Sequence, residues 1–388
     1  LPDMDKAENE LTAIGLHDSA TDHYWVLIMD KAGKMIEKKT GNRTVIPFKD
    51  ERDMILKYLE LYEYINPTIV TGWNIDYFDT PYLYNRIKRL LGVKHANRLS
   101  PIGECFWSPY RKRFFMAGVS YLDYLQLYRT YTYSELDNYR LDSIAMKELG
   151  RGKIEYEGSL DDLFETDLEK FIEYNIVDVD LVVEMDNKLQ FIELCRAICH
   201  AGFVPYEDYM FSSKYLEGAC LAYLKKKGLV APNKPRDRKE KMAALNESGD
   251  EKFIGAYVKE PKPSLYHWVA SFDLDSLYPH LMMQYNISPE TLIEPEDYTP
   301  VMRNILSQGV TVDKLLQKKV VIEGLDGATL TPNGQFFRTD KQGFLPRMLE
   351  EMYEDRKKFK KMMLEAKQKY VDETDKTQKN EYAKLVAR

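Results

Sequence analysis

The sequence predicts an α/β fold, and two patterns support this prediction. Short apolar segments typical of strands alternate with helix-like segments over about the first 200 residues. Strand patterns return after a polar, turn-rich stretch at residues 231–252, and a run of helix formers follows at residues 344–388. A chain of 388 residues is long enough for two or three domains.

Four segments of the first region have the pattern of strands, because short apolar or alternating runs are bounded there by polar residues. They are residues 11–18, 23–30, 67–73 and the beginning of 118–128. Together with the helices between them, these segments predict one α/β domain of about 200 residues.

Helices are predicted over residues 50–65 and 78–92. In the second of these, Pro81 falls in the first turn and Gly92 just past the last, which is the usual placement of both residues at helix ends. From Thr166 the letters T-D-L-E have the form of a capping box. This box predicts a long helix that starts there and continues through the letters QFIEL.

The second region is predicted from the same kinds of pattern. A helix is expected at residues 212–228, and strands at residues 253–261 and 267–275. Residues 344–388 have the pattern of two long charged helices, separated near residues 371–376. The chain begins without Met and ends inside the second of these helices, so we expect it to be part of a longer protein.

The composition argues against several classes of protein. The chain has no run of about 18 apolar residues and no leading signal segment, so we expect no membrane span and a cytoplasmic location. Its four cysteines are too few for a disulfide scaffold, and Cys195 and Cys199 lack a second pair at zinc spacing. The net charge of -7 argues against a protein coated in nucleic acid but allows a local basic surface.

Three aspartates stand out by their surroundings. Asp273 lies on a predicted half-buried strand, where a charge needs a metal, an ion pair or hydrogen bonds; taken alone, it favours a cap or ion pair. Asp79 lies at a predicted helix start, which favours an N-cap. Asp178 follows Tyr174 by one helical turn, and this pair is either structural or able to hold a metal-bound water.

Three longer segments carry a family resemblance. They are TGWNIDYFDTPYLYNRI at residues 71–87, YNIVDVD at residues 174–180 and FDLDSLYPHLMMQYNISPETL at residues 272–292. In this order they closely resemble the second and third exonuclease motifs and the first polymerase motif of family B DNA polymerases. The flanking sequence is most similar to the replicative polymerases of T-even-like bacteriophages.

The resemblance implies an α/β fold with a defined domain order. Residues 1–210 would form a ribonuclease H-like 3′-5′ exonuclease domain without its first motif, and residues 211–252 a helix and linker. Residues 253–343 would form a partial α+β palm with the first polymerase motif, and residues 344–388 incomplete helical fingers.

The resemblance also assigns an exonuclease site. In this type of exonuclease, four carboxylates bind two divalent metals, and a tyrosine orients the attacking water. Asp79 and Asp178 match two of the four carboxylates, and Tyr174 matches the tyrosine. The other two carboxylates belong to an Asp-x-Glu strand, and no strand of that type is predicted in this sequence. We therefore expect no proofreading by this chain alone.

The polymerase site needs two metals as well. By resemblance, Asp273 and the carbonyl oxygen of Leu274 are metal ligands, since hard cations prefer oxygen. Ser276, Leu277 and Tyr278 would contact the incoming nucleotide, with Tyr278 as a steric gate against a ribose 2′-hydroxyl. The second metal-binding aspartate, expected in a later hairpin, has no counterpart here.

The C-terminal region supplies positive charge. Residues 341–388 carry 13 Lys and Arg against 9 Asp and Glu, although the whole chain is acidic. Arg356 and Lys360 lie one turn apart on one stripe of a predicted helix. The charged face of such a helix usually only faces solvent. The resemblance, however, implies that these two residues contact the incoming triphosphate.

Some of these assignments have a structural alternative. Tyr278 could be a packed aromatic residue, and His280 stands where serine is common in the family, which affects local hydrogen bonding. Gly255 and Tyr257 lie in GAYVKEP, a segment that resembles a contact with template phosphates. The alternative for that segment is a simple strand turn.

The resemblance implies part of a replicative DNA-directed DNA polymerase with a proofreading exonuclease. The expected cofactor is Mg²⁺, for which Mn²⁺ can substitute, and the expected partners are primer-template DNA and deoxynucleoside triphosphates. A sliding clamp is expected for the full-length protein, in the host cytoplasm if the source is viral. The chain alone is expected to be inactive.

Three alternatives stay open at this point. The chain could be one half of a split polymerase, completed by a second polypeptide with the missing motifs. It could instead be a non-catalytic nucleic-acid-binding remnant. A stand-alone nuclease is the third alternative, and the missing Asp-x-Glu strand argues against it.

Overall fold

The computed structural model describes residues 2–109, 111–132, 135–231, 259–375, 378–379 and 381–382. The chain divides into two compact units, Leu1–Gly218 with Glu373–Arg388, and Ala219–Asp372. None of the described helices is long and apolar enough to cross a membrane.

The described strands of the first unit form one four-stranded sheet and two separate pairs. They are β1 (Ala13–Asp18), β2 (His23–Met29), β3 (Lys38–Thr40), β4 (Arg43–Phe48), β5 (Ile69–Gly72), β6 (Cys105–Ser108), β7 (Arg113–Met116) and β8 (Ser120–Asp123). The sheet has the order β1-β2-β4-β3, in which only the β2–β4 pair is parallel. β5 and β8 form a parallel pair, and β6 and β7 an antiparallel hairpin. The four predicted strands are confirmed.

The helices of the first unit connect these strands. They are α1 (Glu51–Ile65), α2 (Asp79–Leu91), α3 (Val93–Ala96), α4 (Tyr124–Tyr131), α5 (Leu141–Leu149), α6 (Leu160–Thr166), α7 (Leu168–Leu189) and α8 (Phe191–Gly202), with α9 (Ser212–Lys226) at the division between the units. The predicted helices at residues 50–65, 78–92 and 212–228 are confirmed.

β2 is buried on both faces, because its alternate residues point to opposite sides of the sheet. Tyr24, Val26 and Ile28 pack in a cluster with residues of α7. Leu27 and Met29 pack in a second cluster with residues of α1. The sheet therefore lies between α1 and α7, and this packing holds α7 in place.

The start and end of α7 differ from the sequence prediction. Asp167 is the N-cap, and its side chain accepts the N–H of the third residue of the helix. The capping box predicted at Thr166 is wrong, because that residue already ends α6, whose own box is formed by Ser159 and Asp162. The predicted continuous helix also breaks at Gln190, whose left-handed φ of 56° separates α7 from α8.

A buried ion pair ties α2 to α1. The guanidinium of Arg86 donates to both carboxylate oxygens of Glu51, with Nε–Oε1 at 2.9 Å and Nη2–Oε2 at 2.5 Å. The Nη1 atom of Arg86 donates to the carbonyl oxygens of Ala7 and Glu8. The pair is nearly enclosed, since the two side chains are 8% and 7% exposed. This bidentate contact fixes the helix that begins at Asp79.

The second unit is built from helices and one short hairpin. Its further described elements are α10 (Leu277–Gln284), α11 (Pro300–Ser307), α12 (Val312–Leu316), β9 (Ala328–Leu330), β10 (Phe336–Arg338) and α13 (Phe344–Asp372). Met302, Ile305, Val320 and Phe336 form its buried apolar cluster. α13 confirms the first of the two predicted charged helices, whereas the second falls largely outside the described residues.

The strand predicted at residues 267–275 is wrong. These residues form an irregular segment in which Trp268, Val269, Phe272 and Asp273 are exposed. A strand is stable only when a neighbouring strand takes up its backbone N–H and C=O groups. Within the described part of the chain, nothing pairs with this segment, so Asp273 is not on a half-buried strand.

Candidate active site

The first candidate site lies at the beginning of α2. Asp79 is the first helical residue, and the N-cap is Phe78, so the N-cap interpretation of Asp79 is wrong. The turn before it is held by the buried carboxylate of Asp123. This carboxylate accepts the N–H of Asn74 at 3.0 Å (Oδ1) and that of Asp76 at 3.2 Å (Oδ2). Asp123 thereby fixes the chain just ahead of Asp79.

α7 contributes a tyrosine and a carboxylate from adjacent turns. Nζ of Lys153 donates to Oδ2 of Asp178 at 2.7 Å and to the hydroxyl of Tyr174 at 3.1 Å. The Tyr174 side chain is buried, and its ring packs edge-on against Tyr156. One ammonium group therefore joins the hydroxyl and the carboxylate.

The charges of Asp79 and Asp178 act on each other, which indicates that the two carboxylates face one recess. Burial raises the pKa of Asp79 to about 6, and repulsion by Asp178 acts in the same direction. Burial also raises the pKa of Asp178, against the attraction of Lys153. Burial alone would lower the pKa of Lys153, but its attraction to Asp178 prevails and raises it. Asp79 keeps a solvent-exposed side, so the recess is open.

This recess holds two of the carboxylates that the sequence analysis assigned to a metal site. Carboxylate oxygens are the ligands that Mg²⁺ prefers. Oδ1 of Asp178 is buried and has no hydrogen-bond partner among the described residues. Yet no group of three or more His, Cys, Asp or Glu side chains in the described ranges is placed to hold a metal. The roles of Asp79 and Asp178 as metal ligands therefore stay predictions.

The second candidate site lies in the second unit, at the first-motif loop, residues 272–276. Ser276 has a left-handed φ of 53° and is the N-cap of α10. Nδ1 of His280, one turn into the helix, lies 2.9 Å from the carbonyl oxygen of Ser276. Tyr278, in the first turn, is exposed. The turn therefore presents Tyr278 and the end of the loop to solvent.

α13 brings positive charge to this loop. Nη1 of Arg356 donates to Oγ of Ser276 at 2.6 Å and lies 3.3 Å from Oδ1 of Asp275. The hydrogen bond from Arg356 lowers the pKa of Asp275, and the positive charges of Arg356 and Lys360 act in the same direction. The structure thus groups Arg356 and Lys360 with Asp275 and Ser276.

Comparison with protein families finds two matches, one in each half of the chain. DNA polymerase family B matches residues 210–387, and the exonuclease domain of DNA polymerase family B matches residues 20–144. Both matches are to domains of family B DNA polymerases, and together they cover most of the chain. The exonuclease match includes Asp79 but ends before α7, whereas the polymerase match includes the first-motif loop and Arg356.

Curated DNA polymerases are similar to most of this chain. The DNA-directed DNA polymerase of Enterobacteria phage T4 is 31% identical over 389 residues, which is 93% of this chain and 41% of the relative. That of Escherichia phage RB69 is 29% identical over 394 residues, 94% of this chain and 41% of the relative. The DNA polymerase delta catalytic subunit of Oryza sativa subsp. japonica is 29% identical over 345 residues, which is 83% of this chain and 28% of the relative. The chain spans less than half the length of these relatives.

The structure does not test the roles assigned to several other residues. Asp273 and Leu274 lie exposed in the first-motif loop, and Leu277 is exposed at the start of α10. Their roles as metal ligands and nucleotide contacts stay predictions. Gly255 and Tyr257, assigned to DNA binding, lie outside the described residues.

Sequence reasoning missed Lys153 and Asp275. Lys153 lies in an irregular segment, 21 and 25 residues from Tyr174 and Asp178, so no helical or strand spacing connects it to them. Asp275 lies next to an assigned residue, but its partner Arg356 is 81 residues away. Only the folded chain brings these groups together.

Proposed function

We propose that this chain is part of a DNA-directed DNA polymerase with a 3′-5′ exonuclease site. Its substrates would be primer-template DNA and deoxynucleoside triphosphates, and its place the host cytoplasm, as for a phage replication enzyme. The two family B matches, in their order along the chain, support this proposal, as do the printed names of the phage relatives.

The domain organisation predicted from the sequence is part of this proposal. The sheet enclosed by α1 and α7 supports a ribonuclease H-like exonuclease domain at residues 1–210. Residues 211–252 would be the helix and linker. Residues 253–343 would be part of the palm, and residues 344–388 part of the fingers.

At the exonuclease-type site, Asp79 and Asp178 would hold Mg²⁺, which activates water and stabilises the leaving oxygen when it is bound. The protein's own contribution is positional. Lys153 holds the hydroxyl of Tyr174 and one oxygen of Asp178, so that this hydroxyl can orient a water molecule. Because the Tyr174 side chain is buried, its ring cannot rotate away from this position.

At the polymerase-type site, the residues bind and select the nucleotide. Arg356 and Lys360 would neutralise the triphosphate, since a guanidinium matches phosphate oxygens in pairs. Asp273 and the carbonyl of Leu274 would hold Mg²⁺. Tyr278 would lie where a ribose 2′-hydroxyl would fall and so exclude ribonucleotides.

The observation that carries the polymerase assignment is the position of Arg356 over Ser276 at the end of the first-motif loop. Calorimetric titration of the chain with dATP tests it. We expect Arg356→Ala to weaken binding by about tenfold, since a charge-assisted contact contributes roughly 1.5–3 kcal/mol at most. Lys361→Ala removes one charge from the same helix and serves as the control. Equal affinities of the two variants would contradict the assignment.

The missing motifs and the partners are part of the proposal too. We propose that a second polypeptide segment supplies the Asp-x-Glu strand and the second polymerase aspartate, and that a sliding clamp binds the complete protein. Primer extension by the chain mixed with such a segment tests this point. No gain in extension over either component alone would contradict it.

A non-catalytic nucleic-acid-binding function is the second candidate. The exposed position of Asp273 and the incomplete metal donor set in the described ranges favour it. Titration with Mn²⁺ and dATP separates the two functions. If Asp273→Asn and Arg356→Ala both leave binding unchanged, the binding module is the better description.

A further inference from the structure

The carboxylate of Asp275 pairs with the guanidinium of Arg356, which the proposed nucleotide site needs for binding phosphate. Arg356 donates to Oγ of Ser276 at 2.6 Å, whereas Oδ1 of Asp275 lies at 3.3 Å, near the limit of a hydrogen bond. The side chains of Arg356 and Asp275 are 52% and 66% exposed. This carboxylate–guanidinium contact is therefore weak and accessible to an anion from solvent.

The contact is set by the packing of α10 against α13. The ring of His280 packs edge-on against that of Tyr353, with centroids 4.7 Å apart, less than one turn before Arg356. At the other end of α10, the Asn286 side chain accepts the N–H of Gly343, just ahead of α13. The two helices therefore run antiparallel, and their register brings Arg356 to Asp275.

A polyphosphate is a better partner for Arg356 than Asp275 is. It carries several charges, and a guanidinium binds phosphate oxygens through paired hydrogen bonds. Lys360 lies on the same side, where its charge already acts on Asp275. A bound polyphosphate would interact with both Arg356 and Lys360. The displaced carboxylate of Asp275 would repel it and so weaken its binding.

We propose that Asp275 is a positioning residue that holds Arg356 at the first-motif loop until a nucleoside triphosphate displaces it. This inference rests on the proposed function and adds a specificity element to the same site. The carboxylate competes with every anion for the guanidinium, so a single phosphate binds too weakly to occupy the site, whereas a ligand with several phosphate groups still does.

Removal of the carboxylate charge tests the proposal. Calorimetric titration at low ionic strength compares inorganic tripolyphosphate, dATP and inorganic phosphate on the wild type and on Asp275→Asn. We expect Asp275→Asn to strengthen tripolyphosphate and dATP binding by roughly two- to fivefold, the scale of one exposed ion pair. Binding of single phosphate should rise by no more than this factor, because the carboxylate of the wild type repels a single phosphate less than it repels a polyphosphate.

Two further variants serve as controls. Glu354→Gln removes the same charge from α13 and should leave binding within about a factor of 1.5 of the wild type. Asp275→Glu keeps the charge and should restore wild-type affinity. If Asp275→Asn behaves like Glu354→Gln while Arg356→Ala still loses binding, the role of Asp275 is wrong and the nucleotide site stands.

The remaining outcomes are also decisive. If the wild type binds tripolyphosphate no better than Arg356→Ala does, the proposed nucleotide site is wrong, and the role of Asp275 with it. A titration with a short single-stranded oligonucleotide separates a nucleotide from a DNA backbone. An Asp275→Asn effect confined to the oligonucleotide would contradict the triphosphate as the ligand.

Discussion

Lys153 and Asp178 form a half-buried ion pair in which only one carboxylate oxygen is satisfied. Nζ of Lys153 lies 2.7 Å from Oδ2, while Oδ1 is buried without a hydrogen-bond partner in the described part of the chain. Both side chains are 28% exposed. The pair therefore compensates the charge of Asp178 but leaves one of its oxygens without a hydrogen bond.

The first prediction concerns the coupling within this pair. We expect Lys153→Met to lower the free energy of unfolding by about 1–2 kcal/mol, because it leaves the carboxylate of Asp178 partly buried and without its cation. A double-mutant cycle with Asp178→Asn, followed by urea unfolding, measures the coupling. Lys57→Met, which breaks an exposed pair with Glu60, should cost much less. Additive losses in the cycle would show that the pair is not coupled.

The second prediction concerns Asp79 and pH. Its pKa is raised to about 6 by burial, above the value of about 3.9 expected in the unfolded chain. The unfolded state therefore releases this proton first, so the contribution of Asp79 to stability falls as pH rises from about 4 to 6 and stays low above that range.

Asp79→Asn should remove this unfavourable term. Because one side of Asp79 is open to solvent, we expect a gain of only about 1 kcal/mol at pH 8 and no difference at pH 4. Unfolding in urea at both pH values measures the gain. Asp137→Asn, at an exposed position, is the matched control. A gain of the same size at both pH values would contradict the assigned pKa.

The third prediction compares a buried ion pair with an exposed one. Arg86→Met removes the cation that compensates the enclosed carboxylate of Glu51, and it should cost about 3 kcal/mol of unfolding free energy. Arg98→Met breaks a bidentate pair with the half-exposed Glu63 and should cost less than about 1 kcal/mol. Urea unfolding at pH 7 checks both variants. Similar losses would mean that the Arg86 pair is more hydrated than its burial indicates.

Local patterns in the sequence were sufficient to predict much of the first unit. The runs that became β1 and β2 and the helix ends at Pro81 and Gly92 depend on residues close in the chain. The sequence pattern places the cap of α7 one residue too early, because Thr166 and Asp167 are both good cap formers and only the end of α6 decides between them. Such choices depend on neighbouring elements.

The candidate sites could be predicted only in part, for a related reason. Residues 267–275 have the composition of a strand, but a strand also needs a pairing partner, and the described residues supply none. Asp79 and Asp178 were assigned through motif resemblance, whereas Lys153 has no sequence spacing that links it to either. Contacts between residues that are 25 or 81 positions apart in the sequence can be identified only in the folded chain.

The last prediction is that this chain alone does not hydrolyse DNA. The exonuclease type that the sequence resembles holds its two metals with four carboxylates, whereas the first recess offers Asp79 and Asp178 with Lys153 beside them. We expect no turnover of a labelled single-stranded oligonucleotide with Mg²⁺ or Mn²⁺ above that of Asp178→Ala.

The same assay separates an incomplete site from a contaminating nuclease. Turnover that persists unchanged in Asp178→Ala would come from another protein and would leave the prediction standing. Turnover that disappears in Asp178→Ala and in Asp79→Ala would contradict it, because two carboxylates would then suffice for metal-assisted hydrolysis. In that case Lys153→Met should also lower the rate, since its ammonium positions both Asp178 and the hydroxyl of Tyr174.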